Sequence, residues 1–326
     1  MTARVGRPDL ESIRLAAAGL RGIVVHTPLV AYRGDGGSED GRGAGVWLKP
    51  EVHQPVGSFK LRGVFHAVAA LPAAAREAGV ATVSAGNTAQ ALAWSARHFG
   101  VPARSLMPDT APQTKIDAVR ALGGEPVLVP AAELFRFLRE RGWESEPYAF
   151  IHPWTSGDLI TGHATLGLEV LDDLPEVETV YVPVGGGGLL AGVGSAIRQI
   201  APSVRLVAVE PEGCPSLHAA LDAGKPVTVP CSTICDGVAV PFVTDEMFPL
   251  LTKLVDDSVL VPERAVRAAV RSLALANKIV AEPSGALALA AALATPASER
   301  GASVCLVTGG SIDRDLLVEI LSDDAA

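Results

Sequence analysis

Two segments of this sequence have residue types suited to covalent and anion-binding chemistry. One is SFKLRG, residues 58–63, and the other is the run Gly185, Gly186, Gly187 and Gly188. The amine of Lys60 can form a Schiff base with an aldehyde. A glycine turn at a helix start can bind a phosphate through backbone N–H groups. Because pyridoxal 5′-phosphate (PLP) carries one aldehyde and one phosphate, the two segments together predict PLP as the cofactor.

A third segment, SAGNTAQ at residues 84–90, ends a predicted strand and opens a predicted helix. Ligands of open α/β sheets bind beyond the carboxyl ends of the strands, and free N–H groups at a helix start suit a carboxylate. The Asn87 amide can also donate to a phenolate-type oxygen. The alternative is an ordinary helix N-cap formed by Ser84 or Asn87, and the segment alone does not decide between them.

Thr308 follows an apolar strand, and Glu282 precedes a helix. A hydroxyl at a strand end can hydrogen-bond a ring nitrogen without protonating it. Alone, however, the segment around Thr308 is typical of a simple strand-to-helix turn. Glu282 has two interpretations: an anion at a helix start or a carboxylate that faces the ring.

The glycine run also allows a competing hypothesis. Gly186, Gly188 and Ala191 fit the looser dinucleotide-binding pattern, and Glu210 lies about 20 residues on, where an acidic residue would contact a ribose. A nicotinamide-dependent oxidoreductase is therefore an alternative on spacing. It leaves the lysine segment unexplained, and we rank it lower.

Composition limits the class of protein and its partners. The 326 residues are 48% hydrophobic and 19% charged, as in a well-cored enzyme, and the net charge is −9. This acidity argues against nucleic acid and anionic membranes as partners. The N-terminus has no signal-peptide pattern, and no run of about 18 apolar residues is present. We therefore expect a cytoplasmic protein.

The four cysteines are Cys214, Cys231, Cys235 and Cys305. Cys231 and Cys235 are spaced C-x3-C, but no second Cys or His pair lies nearby to complete a zinc site. We expect scattered reduced thiols, which suit a cytoplasmic location.

Helical and strand patterns alternate along the chain, which predicts α/β architecture. Residues 34–45, rich in glycine and charge, are predicted as an exposed loop. The helix after the lysine segment is predicted over residues 57–70, and a later helix over residues 263–277.

Taken together, these segments resemble the fold type II PLP enzymes, specifically the threonine dehydratase and serine racemase group. The lysine motif at residues 54–63 and the segment at residues 233–239 carry the resemblance, which runs from about residue 27 to about residue 313. It implies a tryptophan synthase β-like fold with two open-sheet lobes and the cofactor between them. It also implies a homodimer.

The resemblance implies a division of the chain and a role for each matching residue. Residues 1–52 and 155–326 would form the large PLP-binding domain, and residues 53–154 the small one. Lys60 would carry the cofactor and later move the α-proton of the substrate. The other implied contacts are Phe59 beside the ring, Asn87 at the ring's O3′, Gly185 to Gly188 at the phosphate, Thr308 at the ring nitrogen, and Ser58, Ser84, Ala85, Asn87 and Thr88 around the substrate.

The chain also departs from the group at several positions. Ala85 stands where the racemases have a serine acid/base, although a shift of one residue would bring Ser84 there instead; we expect weak or no racemisation. Thr88 stands where the dehydratases usually have histidine, which either opens space for a bulkier substrate such as phenylserine or is neutral. Cys214 and Ser216 replace oxygen ligands near Glu210, so we expect no required divalent metal.

The predicted function is PLP-dependent dehydration and deamination of a β-hydroxy-α-amino acid, with L-threonine or L-serine as the default substrate. The Gly-Asn-Thr order at residues 86–88 resembles the cysteine synthase branch, so β-replacement with a thiol is the nearest alternative. A PLP-binding protein without catalysis is a further one.

Overall fold

The computed structural model describes residues 5–34 and 45–322. Most of the predicted loop at residues 34–45 lies outside the described residues. The helices are α1 Leu10–Gly19, α2 Lys60–Ala70, α3 Ala73–Glu77, α4 Asn87–Phe99, α5 Gln113–Ala121, α6 Ala131–Arg139, α7 Gly157–Asp173, α8 Gly188–Ile200, α9 Ser216–Ala223, α10 Phe248–Leu254, α11 Glu263–Ser272, α12 Pro283–Ala294, α13 Ala297–Arg300 and α14 Arg314–Ser322. The strands are β1 Val30–Ala31, β2 Val46–Pro50, β3 Val80–Val83, β4 Ala103–Pro108, β5 Glu125–Val129, β6 Ala149–Phe150, β7 Thr179–Pro183, β8 Arg205–Pro211, β9 Asp257–Val261 and β10 Ser303–Val307.

The described strands form two open sheets. The larger has the order β1-β2-β10-β7-β8-β9, with only β1 antiparallel, and the smaller is fully parallel with the order β5-β4-β3-β6. The predicted α/β class with two open-sheet lobes is therefore confirmed. The proposed domain boundaries at residues 52/53 and 154/155 stay a prediction.

Strand β10 shows why the large sheet is buried on both faces. Side chains alternate across a strand, so Val304 and Leu306 pack into one apolar cluster and Cys305 and Val307 into the other. Helices α7 and α8 pack on the first face and α12 on the second. A continuous apolar run in sequence is typical of such a strand.

Several element bounds differ from the predicted ones for local reasons. Helix α2 begins at Lys60 and not at residue 57, because Gly57 has a left-handed φ of 70° and Ser58 pairs with Gly309 in a β-bridge. The helix predicted over residues 263–277 is α-helical only to Ser272 and ends in a π-helical turn, Leu273–Asn277.

The expectation of reduced thiols is wrong for one pair. Cys214 and Cys231 form a disulfide, while Cys235 and Cys305 are free and buried. The partners are 17 residues apart in sequence, and a backbone hydrogen bond from Ser232 to Gly213 brings their segments together. Sequence spacing gave no sign of this contact.

Of the described helices, none combines the length and the apolar character needed to cross a membrane.

Candidate active site

Backbone contacts fix the lysine motif against the end of strand β10. The Phe59 N–H donates to the Thr308 carbonyl at 3.0 Å, and the Gly310 N–H donates to the Gly57 carbonyl at 3.0 Å. Lys60 follows as the first residue of α2, with its Nζ 4.8 Å from the centroid of the Phe59 ring. The backbone of the motif thereby lies against Thr308, and Lys60 and Thr308 line the same cavity.

Two residues further along α2, a buried ion network anchors the helix. The Arg62 guanidinium donates to Glu51 through Nε at 2.7 Å and to Glu169 of α7 through Nη1 at 2.6 Å. Lys49, fully buried, pairs with the same Glu169 at 2.9 Å. Because buried charges need partners, the network fixes α2 against α7 and holds the lysine turn in place.

Lys60 lines a cavity of about 450 Å³, which lies at the carboxyl ends of β3, β4, β7 and β10. This is the edge of a parallel sheet where ligands are expected. The predicted site residues that line it are Phe59, Lys60, Ser84, Ala85, Asn87, Thr88, Gly185, Gly186, Gly187, Gly188 and Thr308. Ser58 is fully buried outside this lining, so its contact with substrate stays a prediction.

The glycine turn has room for backbone only. A Cβ on Gly186 would overlap the Trp154 ring, and one on Gly187, whose φ is 88°, would lie 2.6 Å from Leu251. Gly188 begins α8, so the first N–H groups of that helix are not used within it. The turn therefore offers an anion the free donors and the positive end of a helix.

Asn87 is held in place by two side-chain hydrogen bonds. Its Nδ2 donates to Glu282 Oε1 at 2.8 Å, and Ser311 Oγ donates to its Oδ1 at 2.7 Å. Gly309 lies against the pair formed by Asn87 and Glu282, since a Cβ there would lie 2.5 Å from Glu282 Oε1 and 3.0 Å from Asn87 Nδ2. The amide is thus positioned in the cavity wall, and its predicted contact with the cofactor O3′ stays a prediction.

Burial sets the protonation of the two groups with most influence on the site. It lowers the pKa of the Lys60 amine to about 8, although the Glu282 carboxylate opposes this shift. Burial, with repulsion from Asp236, raises the pKa of Glu282 to about 7 against the opposing pull of Lys115, Asn87 and Lys60. The lysine is therefore partly an uncharged amine, a base or nucleophile, near neutral pH.

His163 lies next to Phe59 and the lysine turn. Its ring is 4.8 Å from that of Phe59, and neither buried ring nitrogen has a hydrogen-bond partner. Burial and the nearby Lys60 and Arg62 hold the pKa of this imidazole well below its usual range. The His163 ring is therefore uncharged and packs against Phe59.

An ion pair that the sequence did not predict closes one side of the cavity. Lys115 of α5 pairs with Asp236 in the segment 233–239, and both line the cavity. These residues are distant in sequence; Asp236 lies in a segment that carries the resemblance, but only the spatial contact identifies Lys115 as its partner. Trp154 lines the cavity beside the glycine turn.

The Glu210 carboxylate is hydrogen-bonded to the first residues of helix α9. It accepts hydrogen bonds from the backbone N–H groups of Leu217 and His218, both at 2.8 Å, and from Ser216 Oγ at 3.2 Å. The ribose contact of the dinucleotide hypothesis would require these donors to be released. In the described part of the chain, no group of three or more His, Cys, Asp or Glu residues is arranged to hold a metal ion.

The residues fit PLP. The lining combines a buried amine at Lys60 with a side-chain-free glycine turn, and Ser284 presents a buried hydroxyl that has no hydrogen-bond partner. Such a hydroxyl is costly unless something binds it. Thr308 stands in the same wall and is nearly fully buried.

Comparisons with known proteins agree with this fit. The family model described as pyridoxal-phosphate dependent enzyme matches residues 20–309. L-Threonine ammonia-lyase of Thermotoga maritima is 38% identical over 318 residues, covering 96% of this chain and 78% of that protein. A serine racemase of Oryza sativa is 35% identical over 322 residues, covering 96% and 94%. The solved structure of maize serine racemase is 34% identical and superposes with a TM-score of 0.87, covering 96% of this chain and 97% of that one. A T.th. threonine deaminase is also 34% identical and superposes with a TM-score of 0.84, covering 94% of this chain and 99% of that one.

Fold and site thus define a fold type II PLP enzyme. The chain belongs to the pyridoxal-phosphate dependent enzyme family. The predicted cofactor is confirmed, and so is the enzyme class, a PLP-dependent carbon–oxygen lyase. The nicotinamide hypothesis is set aside, because family membership accounts for both the lysine and the glycine turn.

Proposed function

We propose that this enzyme converts a β-hydroxy-α-amino acid to a 2-oxo acid and ammonia. L-Threonine and L-serine are the default substrates, and a bulkier 3-substituted serine such as phenylserine is the alternative that Thr88 suggests. The observation that carries the proposal is the Lys60 amine, buried beside Glu282 with its pKa lowered to about 8. Such an amine suits proton removal from an α-carbon.

PLP, when bound, supplies the electron sink for bonds at the α-carbon. Lys60 would bind the cofactor through its amine and, when free of it, would take the α-proton. The turn Gly185 to Gly188 would hold the phosphate with backbone N–H groups, and Thr308 would hold the ring nitrogen through a neutral hydroxyl. The β-hydroxyl would leave as water by taking up one proton, which balances the α-proton removed by Lys60, and the resulting enamine would hydrolyse with one water to the 2-oxo acid and ammonia.

Substrate contacts are proposed for the segment after β3. Ser84 and Thr88 lie around the carboxylate, together with the free N–H groups at the start of α4. Ala85 has no proton to give, so we propose that racemisation is slow relative to elimination. Asn87, held by Glu282 and Ser311, positions the ring through its amide.

β-Replacement is kept as a second candidate because the Gly-Asn-Thr order at residues 86–88 favours it. A cytoplasmic location and a homodimer are also proposals. Because Cys214 and Cys231 form a disulfide, reduced thiols no longer support the proposed cytoplasmic location. The acidic net charge of −9 still argues against nucleic-acid partners.

The test is 2-oxo acid release from the PLP-loaded enzyme, with L-threonine and L-serine and no thiol present. We expect release in the wild type and no release in Lys60→Ala, which also loses the visible absorption of bound PLP. Lys225→Ala, a change at an exposed lysine, is the matched control and should retain both. Release only after adding a thiol acceptor would favour β-replacement. Turnover retained by Lys60→Ala would refute the mechanism.

A further inference from the structure

We infer that the site selects β-hydroxy-α-amino acids with a large apolar, aryl-sized β-substituent, and that Phe135 and Phe242 are the residues that select it. The inference rests on the proposed function, because it assigns the substrate class of the same site. The evidence comes from the part of the cavity lined by helix α6, which is distinct from the wall formed by Lys60 and the glycine turn.

Helix α6 supplies an apolar wall to the active-site cavity. Ala131, Leu134, Phe135 and Leu138 all line it, and their spacing places them on one face of the helix. Trp154 continues this wall toward the glycine turn. Serine and threonine carry only a hydrogen or a methyl beyond the β-carbon, so neither would cover a wall of this extent.

An aromatic pair joins this wall to the other lobe. The Phe135 and Phe242 rings lie 6.1 Å apart between centroids, at an interplanar angle of 69°. Both side chains remain partly exposed, so each ring keeps an apolar surface that no protein group covers. An aryl group bound beside them would remove that surface from water, which is favourable, and would add edge-to-face contacts.

The cavity has room for such a group on this side. A second cavity of about 830 Å³ adjoins the first, and Phe135, Leu138 and Trp154 line both. Phe242 lines the second. Lys60 and the glycine turn line only the first cavity, whereas the second is lined by residues of α6 and by Phe242. The two volumes lie within the range of about 300–1,000 Å³ that drug-sized ligands use.

Charge argues against an acidic β-substituent as the alternative. The described residues that line the first cavity include four charged groups: Lys60, Lys115, Asp236 and Glu282. Lys115 already pairs with Asp236, and Lys60 is committed to the cofactor. Within the first cavity, a second substrate carboxylate would therefore lack a cation to pair with it, which is costly. The cations that line the second cavity, Arg139 and Arg141, are exposed to water, and the hydroxyaspartate comparison below tests whether they attract such a group.

The experiment compares kcat/KM for L-threo-3-phenylserine, L-threonine and L-threo-3-hydroxyaspartate with the PLP-loaded enzyme. We expect phenylserine to exceed threonine by at least about tenfold, the effect of burying one aromatic ring, and hydroxyaspartate to be the poorest. Phe135→Ala and Phe242→Ala should each lower the phenylserine value about tenfold and leave the threonine value within about threefold. Phe135→Leu, which keeps an apolar side chain, should recover part of the loss.

Leu128→Ala, at an exposed position on β5, is the matched control and should change no ratio. Binding is measured separately with L-phenylalanine and L-alanine, which lack the leaving hydroxyl, by quenching of tryptophan fluorescence. L-Phenylalanine should bind more tightly, and the Phe135 and Phe242 variants should abolish the difference.

The outcomes separate this inference from the proposed function. Turnover of threonine or serine with a lower value for phenylserine, unchanged in both Phe variants, overturns the selectivity and leaves the lyase in place. A preference for hydroxyaspartate overturns it in favour of an acidic substituent. If no amino acid is turned over, the lyase fails, and the binding comparison still decides whether the wall selects an aryl group.

Discussion

Lys60 and Glu282 are two buried groups of opposite charge, and each favours the charged form of the other while burial opposes both. For both groups burial is the larger effect, so each pKa moves toward the neutral form. The pKa of the Lys60 amine therefore falls to about 8 and that of the Glu282 carboxyl rises to about 7, so both groups titrate close to neutral pH. The reactivity of the Lys60 amine therefore depends on its burial and on the nearby Glu282 carboxylate as well as on its being a lysine.

The first prediction concerns the pH dependence of PLP capture by the cofactor-free protein. Only the uncharged amine reacts with the aldehyde, and burial lowers the pKa of Lys60 from 10.5 to about 8. The capture rate should therefore rise with pH around a midpoint near 8. Glu282→Gln removes the carboxylate that raises this pKa, so its midpoint should lie at lower pH.

The rate is followed by the visible absorption of bound PLP. Glu299→Gln, a change at an exposed carboxylate, serves as the control and should leave the midpoint in place. A midpoint near that of free lysine in the wild type would contradict the buried, neutral-leaning amine.

Site residues were predictable from the sequence where the residue types within one short segment are enough to indicate a chemical role. Lys60 and the glycine run stood out in the sequence because each has a distinct reactive or backbone role. Glu282 had two interpretations, since its partner Asn87 lies 195 residues away. Lys115 gave no signal, and Asp236 was noted only as part of the segment 233–239, because their pairing depends on a contact between distant residues.

At the scale of elements, the turns between strands and helices carry the site, and their backbones allow little change. The glycine turn before α8 packs directly against Trp154 and Leu251. Helix α2 is held from behind by Arg62. The cofactor-facing ends of these helices are therefore fixed by contacts on their far sides.

Gly186→Ala should weaken PLP binding by at least about tenfold. The added Cβ would overlap the Trp154 ring, and such overpacking costs about 1–3 kcal/mol. Gly157→Ala is the matched control, because a Cβ there has nothing within 4 Å. Equilibrium dialysis of PLP measures both dissociation constants, and equal values would show that the turn tolerates side chains.

Arg62→Ala should lower the free energy of unfolding by about 3–5 kcal/mol, because it leaves the Glu51 carboxylate buried without its cation. Arg120→Ala breaks an exposed pair with Asp117 and should cost less than about 1 kcal/mol. Urea denaturation measures the two values. Similar losses in both variants would mean that the buried network adds nothing beyond a surface pair.

Element types were predictable from periodicity and composition, but several ends were not. The α2 start depends on Gly57 and on the bridge between Ser58 and Gly309, which is a tertiary contact. The π-helical turn after Ser272 leads into Lys278, whose φ of 60° is left-handed. No local propensity indicates a π-turn in a helix-forming sequence.

At the scale of the whole molecule, two sheets meet with their carboxyl ends around one cavity. The alternation of strands and helices predicted this α/β architecture, and the resemblance predicted two lobes. The disulfide between Cys214 and Cys231 was missed, because pairing at a separation of 17 residues depends on how α9 and the segment before residue 233 pack.

Cys231→Ser should lower the free energy of unfolding by about 3 kcal/mol, the loop-closure effect expected for a loop of this length. Under denaturing conditions the unreduced wild type should show two reactive thiols, Cys235 and Cys305, and four after reduction. Cys305→Ser should leave the disulfide intact and is the comparison for thiol counting. Four reactive thiols before reduction would disprove the disulfide.

The contact between Lys115 and Asp236 links α5 of one lobe to the other lobe across the cavity wall. The Asp236 carboxylate is about half exposed, so dissolved ions reach this pair. Dissolved salt screens such charges and weakens their attraction. Raising the ionic strength of the surroundings should therefore weaken this contact between the lobes, independent of the bond-breaking steps themselves.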